Sequence, residues 1–351
     1  MVQRWSRFEL LDLASGSPAG WLSGVSSCTL DWSLYASTHG AGRLSVTGEA
    51  QDWPHLMVRP WLYERVGGVM SAQPRGVYLL TSPGRGLSGG TMTTGGARAV
   101  EHDLSLYSQE ARLSRVPLRQ SLNIPSGTNF VSWMVSRLAS LGITDVAATP
   151  SSKAVQAPIH FDAGTSELAV WNHLAESIGY WGLRFSAAGQ ALVQPYVAPC
   201  YRPESFRFAP GADRFRPSVA ESSDDWKIPN VLIGVSRMED GSSISYAAEN
   251  LSRGPYSYEA RGYWVGDDGG AVQLDCPDAE SLAAAMERRL VLASVPARSW
   301  DAEVARLPLE GGEVGRLEYV DVSARVTLTK RSEDMVQLAA DMKVTLEEVP
   351  E

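Results

Sequence analysis

Residues 165–195 read TSELAVWNHLAESIGYWGLRFSAAGQALVQP, and the spacing of their apolar residues changes part-way along. Leu168, Trp171, Leu174, Ala175 and Ile178 recur at helical intervals and make one apolar stripe. Thr165 or Ser166 stands where a capping hydroxyl accepts a hydrogen bond from an otherwise unpaired backbone N–H. Glu167 occupies the first turn, where the helix dipole favours negative charge. Gly179 ends the helix, because a helix exit often requires a left-handed backbone that only glycine adopts without strain. Beyond it, YWGLRFSAAGQALVQPY reads as two short strands turning at Gly189. The carboxylate, the histidine and the aromatics of this stretch are spent on packing, with no alignment for chemistry.

The same unit extends upstream. SGTNFVSWMVSRLASLGIT places Phe130, Trp133, Met134, Arg137, Leu138 and Leu141 at helical spacing, with Gly142 at the helix exit. APIHFD then reads as a short strand. Residues 119–204 are therefore expected to form a small α/β domain. Residues 1–118 differ in character: RLSVTGEA, LMVRPWLYERV, GVYLLTS and AVEHDLSLYSQEARL alternate partly, as antiparallel strands with one dry face do. Trp21, Trp32, Trp53 and Trp61 fall here and are expected in the core or at barrel ends. Residues 205–351 return to strands. PNVLIGVSRMEDGSSISYAAEN and GYWVGDDGGAVQLDC each read as a hairpin with Asp-Gly at the turn. Asp278 opens a helix with Leu282, Met286, Leu290 and Ala293 on one face, and further strands follow, with residues 334–341 irregular. The expected fold class is α+β, mainly β, with two β-barrel-like domains (1–118 and 205–351) around an inserted small α/β domain.

Composition narrows the function. The 351 residues carry a net charge of -9 with no basic block, which argues against gripping a nucleic-acid backbone. The N-terminus lacks the apolar core of a secretory signal, and nothing approaches the roughly 20 apolar residues of a membrane span. Cytoplasmic synthesis is therefore expected. Cys28, Cys200 and Cys276 are odd in number and far apart, so idle thiols are expected and no disulfide framework or zinc site. His39, His55, His102, His160 and His173 show no metal spacing, and no nucleophile-elbow motif occurs.

Two further motifs fail on inspection. GRGLSG (84–89) matches a dinucleotide-binding glycine pattern, but the GTMTTGGARA that follows cannot open a helix. A mobile loop ordered by a neighbouring subunit is expected across 83–96. Asp267/Asp268 precede Gly269-Gly270 and read as a turn; Asp224/Asp225 read as a solvated connector. No catalytic, cofactor-binding or metal residue is assigned. Eleven tryptophans and nineteen other aromatics suit cores and subunit interfaces, with a sugar-stacking surface as the alternative.

In this order of parts the chain resembles the hub proteins of phage tails and related contractile injection machines. The β-rich opening to DLSLYSQEARL, the helix–Gly–strand–turn–strand unit at 165–195, and DDWKIPNVLIGVS (224–236) carry the resemblance. It implies a homotrimer in which each subunit gives two related β-barrel domains to a pseudo-sixfold ring. That ring would join a hexameric tail tube to a threefold tip, close the tube, and later let tape-measure protein and DNA pass. The implied partners are the distal tail or tube ring, the tape-measure protein and tip or receptor-binding proteins; no cofactor is implied. A carbohydrate-binding tail protein and a cell-wall hydrolase with a dispersed site remain as alternatives.

Overall fold

A computed structural model describes residues 2–48, 52–86, 100–209, 216–220, 228–238, 242–266, 269–294, 298–304, 306–307, 309–319, 322–338 and 342–349. It is mainly β with few helices, as expected. Its dominant feature is one 14-stranded sheet that draws on both ends of the chain. From the N-terminal region, Val2–Asp12 pairs antiparallel with Leu56–Val66 along its whole length, Val2 opposite Val66 and Asp12 opposite Leu56. Gly40–Gly48 lies between Val25–Ser33 and Val100–Ser108. The second edge of Val25–Ser33 is taken by Val322–Asp334, with Lys330 opposite Ser33 and Asp334 opposite Thr29. Val322–Asp334 in turn pairs with Val314–Tyr319 and Met342–Glu348, so the N- and C-terminal β regions are covalently distant but share one ladder.

Four large apolar clusters lie under these elements. Phe8, Leu30, Leu44, Trp53, Leu80 and Leu104 belong to the N-terminal cluster, which Met335 joins from the other end of the chain. Phe208, Trp300, Val326, Leu328 and Leu346 belong to the C-terminal one. Leu232, Leu282, Met286 and Leu290 form a third, between a three-stranded sheet and the helix Ala279–Ser294. The fourth runs from Leu113 to Val193 and fills the inserted α/β unit. The expected region 205–351 thus holds two separate apolar clusters.

The inserted unit follows its sequence. Helices Phe130–Ser140 and Glu167–Ser177 are capped by Asn129, whose Oδ1 accepts from Ser132 N at 2.9 Å, and by Ser166, whose Oγ accepts from Ala169 N at 3.2 Å. Trp171 is only 2% exposed. Gly142 and Gly179 adopt φ of 83° and 74° at the two helix exits. Three readings need correction. GYWVGDDGGAVQLDC does not pair as a hairpin: among its described residues only Val272–Leu274 is a strand, and it pairs parallel to Val231–Arg237, while Asn230 bonds Tyr263 and Val265. In AVEHDLSLYSQEARL the strand stops at Ser108 and Glu110–Ser114 coils into a short helix. The strand in GVYLLTS continues to Gly86, through the start of the expected loop.

One glycine marks where the two β regions touch. A Cβ on Gly311 would lie 1.8 Å from Trp32 Cη2, and the His39 ring stacks on that indole at 5.9 Å with planes 16° apart. Gly311→Ala is expected to destabilise the protein by about 1–3 kcal/mol, through forced repacking. A urea titration reads this as a lower midpoint at an unchanged slope.

Candidate functional site

The seam between the β regions is locked by charge. Arg75 follows the strand Val69–Pro74, and its guanidinium meets Glu333 at the end of Val322–Asp334. Arg75 Nε donates to Glu333 Oε1 at 3.0 Å and Nη2 donates to Oε2 at 2.6 Å, with the two side chains 3% and 0% exposed. Arg331 Nε approaches Oε1 to 3.6 Å. Burial pushes the Glu333 carboxyl up, but Arg331, Arg75 and Arg306 outweigh it and hold the group below its ordinary value. Such a bidentate pair fixes orientation as well as proximity.

The inserted unit attaches to the helix Ala279–Ser294 and its approach through polar links. Arg289 Nη2 donates to Glu176 Oε2 at 2.8 Å, His173 Nε2 lies 2.7 Å from Asp275 Oδ2, and Lys153 Nζ donates to Ser281 Oγ at 2.5 Å. Arg288 Nη1 donates to the Tyr180 carbonyl. Contacts of this kind resemble an assembly joint more than a shared core.

All parts converge on a cavity of about 250 Å³, lined among others by Leu34, Trp181, Tyr196, Cys200, Leu290 and Val349. Trp181, Tyr196 and Arg202 of its lining belong to a stack of rings and guanidiniums that Arg184 and Arg288 complete outside the cavity. Trp181 and Tyr196 meet edge-on at 4.7 Å, Arg184 lies 4.2 Å over the indole, Arg202 lies 4.8 Å over it, and Arg288 lies 4.7 Å over Tyr196. Arg202 also donates Nε to Val197 O at 2.6 Å and Nη1 to Gly312 O at 2.5 Å, which ties the inserted unit to the C-terminal sheet. Burial, and then the charge of Arg202, lower Arg184 to about 10. Cations over aromatic faces in a half-dry site are held more tightly than in water. At the rim, Tyr35 Oη donates to Glu347, whose carboxyl is pushed up by burial.

The residues singled out in the sequence do not assemble into a reactive centre. His39 lies 3.3 Å from Glu110 Oε1, His55 Nδ1 lies 2.9 Å from Asp52 Oδ2, and His160 Nδ1 lies 2.8 Å from Asn123 Oδ1. His102 packs against Trp53 at 5.7 Å. Among the described residues no group of three or more His, Cys, Asp or Glu is placed to hold a metal. Cys28 and Cys276 are buried and Cys200 is exposed, all three as free thiols. Burial pushes Cys276 up to about 12, far from a thiolate nucleophile. Trp53 is buried as expected, whereas Trp21 is 46% exposed with Arg7 stacked 4.0 Å over its ring. Asp224, Asp225, Asp267, Asp268 and residues 87–96 lie outside the described residues. The ring–guanidinium stack escaped sequence reading because Trp181 and Arg288 are far apart in the chain; only Trp181 and Arg184 stand close together.

No protein-family model matches the chain, and no curated protein matches it in sequence. Solved structures do. The tail protein from Neisseria meningitidis MC58 superposes with a TM-score of 0.67 at 12% identity, covering 98% of this chain and 96% of that one. The 43 kDa tail protein of prophage MuSo2 from Shewanella oneidensis gives 0.57 at 13% identity, covering 97% and 98%. An E. coli component of the type VI secretion system, itself described as structurally similar to T4 tail proteins gp27 and gp5, gives 0.53 at 11% identity, covering 93% and 73%. The likeness runs through both β regions and the inserted unit together. This chain has the fold of phage tail proteins and of their type VI secretion counterpart, as the hub resemblance led one to expect.

Proposed function

We propose that the chain is a structural subunit of a phage tail: a homotrimeric hub at the distal end that joins a hexameric tail tube to a threefold tip and gates passage of tape measure and DNA. The observation that carries this reading is the superposition on a tail protein over 98% of this chain and 96% of the other. The division into 1–118, 119–204 and 205–351 belongs to the same proposal. Each chain holds two β regions fused through one sheet, so three chains supply six β regions around an axis. That is the arithmetic a three-to-six junction requires. A net charge of -9 favours a lumen that repels DNA and keeps it moving. The role is assembly, and the partners are the tail or tube ring above, the tape measure within and the tip or receptor-binding proteins below.

Immunogold labelling of intact particles, with an antibody against this chain, tests the reading. Gold is expected at the distal tail tip. Gold on capsids, or abundant protein in the soluble lysate with unlabelled particles, would overturn it.

A further inference from the structure

Two orphan features of the chain fit one another. The first is a β-ribbon tip. Leu56–Val66 and Val69–Pro74 form a hairpin that turns at Gly67 and Gly68, with φ of 57° and 89°, a two-residue turn whose backbone only glycine adopts freely. Residues 65–72 are exposed without interruption, so both faces of the ribbon stand clear of the core. Its tip is nonetheless apolar: Val66, Val69 and Met70 are 51%, 74% and 57% exposed. Arg65 lies directly across the ladder from Met70. Behind the tip the ribbon is stiffened, since Trp5 stacks on Tyr63 at 5.5 Å with planes 7° apart and Arg4 bonds Glu64 at 2.7 Å. A rigid projecting apolar tip loses little freedom on docking.

The second feature is the junction cavity. At about 250 Å³ it is smaller than the roughly 300–1,000 Å³ of small-molecule sites and suits one or two side chains. Val197 and Tyr201, in the segment that forms its wall, are 45% and 80% exposed. Its lining itself carries more carboxylate than guanidinium, Glu249, Glu287, Glu347 and Glu348 against Arg202 and Arg253. An apolar tip carrying Arg65 therefore meets an apolar socket with excess carboxylate. The two features belong to opposite flanks of the large sheet, the tip to Leu56–Val66 and the socket to Val322–Asp334 and Met342–Glu348, with four strands between them in the ladder order. One molecule does not satisfy itself. A head-to-tail contact that repeats and closes makes a ring.

We infer that the ribbon tip at Val66–Met70 of one subunit docks into the junction cavity of the next copy. The inference rests on the homotrimer reading and gives it a specific contact. Adaptable Met70 fills the socket, the Val69 side chain packs on the exposed rim, and Arg65 faces the carboxylates.

Cys200 makes the contact testable in the full-length chain, because it lines the cavity and the two other cysteines are buried. Under mild oxidation, Met70→Cys is expected to yield disulfide-linked oligomers on a non-reducing gel, and Met70→Cys with Cys200→Ser is expected to yield none. In the native chain, Cys200 should react with a maleimide at least about tenfold more slowly in the oligomer than in the diluted monomer. Val69→Asp, at an exposed position that folding does not need, should weaken self-association by at least about tenfold. An oligomer seen by mass photometry that shows no cross-link and leaves Cys200 fully reactive would overturn this contact while the trimer stands; another protein or another surface of this chain would then be the partner. A chain monomeric at every concentration would remove both.

Discussion

Replacing Glu333 with glutamine is expected to lower the free energy of unfolding by about 3–5 kcal/mol, the usual consequence of removing one member of a buried ion pair. The environment makes a smaller effect hard to reconcile with the structure. One carboxylate, fully buried, faces Arg75, Arg331 and Arg306. Without its charge, three guanidiniums are left to repel one another where water cannot screen them. Glutamine keeps the size and one acceptor, so the loss reports charge and not volume. Replacing both partners, Arg75→Met with Glu333→Leu, should recover part of the loss, because neither of these two groups then has to leave water, while Arg331 and Arg306 still lose the carboxylate they face. Urea unfolding of the three proteins checks this. A Glu333→Gln variant within about 0.5 kcal/mol of the parent would sink the claim that this pair clamps the two β regions.

The same group makes a pH prediction with a definite sign. The folded-state pKa of Glu333 is held below its ordinary value, while the unfolded chain titrates near about 4.3. Its contribution is therefore fully present above the unfolded value and is lost as pH falls through the folded one. Acid unfolding should steepen below about pH 4 in the parent. In Glu333→Gln that part of the slope should be absent. Glu347, pushed up by burial, acts in the opposite sense around its own titration, so the comparison must be made between the two proteins and not against a calculated curve.

What the sequence disclosed and what it hid follows from range. The helix at Glu167–Ser177, its Ser166 cap and its Gly179 exit are written within fifteen residues, and period, cap and stop all agree. The hairpin of Val231–Arg237 with Ser243–Glu249 was equally local. GYWVGDDGGAVQLDC misled because Asp-Gly next to an apolar run is the usual hairpin signal, and nothing nearby reveals that Asn230 captures Tyr263 and Val265 from across a gap of more than thirty residues. The pairing of Val25–Ser33 with Val322–Asp334 was beyond reach for the same reason. A strand edge carries no mark naming its partner. The cavity is the extreme case, since the inserted unit, the helix Ala279–Ser294 and the last strand each supply part of its lining. Sequence separation also hid the Arg75–Glu333 pair, whose members are ordinary surface residue types until the fold buries them.

Trp171→Ala should cost about 3–5 kcal/mol, because a fully packed indole leaves a cavity that its neighbours cannot close. Trp171 is 2% exposed, in a cluster with Phe130, Met134, Leu138 and Leu174, and it lies midway along the helix that organises the inserted unit. A second substitution separates packing from hydrogen bonding. The buried indole N–H finds no acceptor among the described residues, so Trp171→Phe removes volume but also removes a donor that has lost its water. Phenylalanine should therefore cost far less than alanine, by more than the difference in side-chain size alone suggests. Because that unit joins the rest of the chain through polar links, among them Glu176–Arg289, His173–Asp275, Lys153–Ser281, Arg288–Tyr180 and Arg202–Gly312, its loosening need not unfold the large sheet. Hydrogen exchange on Trp171→Ala should show accelerated exchange through residues 113–193, with the strands of the large sheet still protected. Uniform loss of protection would mean that the inserted unit and the sheet fold as one cooperative body, and the polar joint would then be tighter than its chemistry suggests. Recovery of soluble, fully assembled Trp171→Ala particles of parental stability would instead show that the stripe is not the core of the unit.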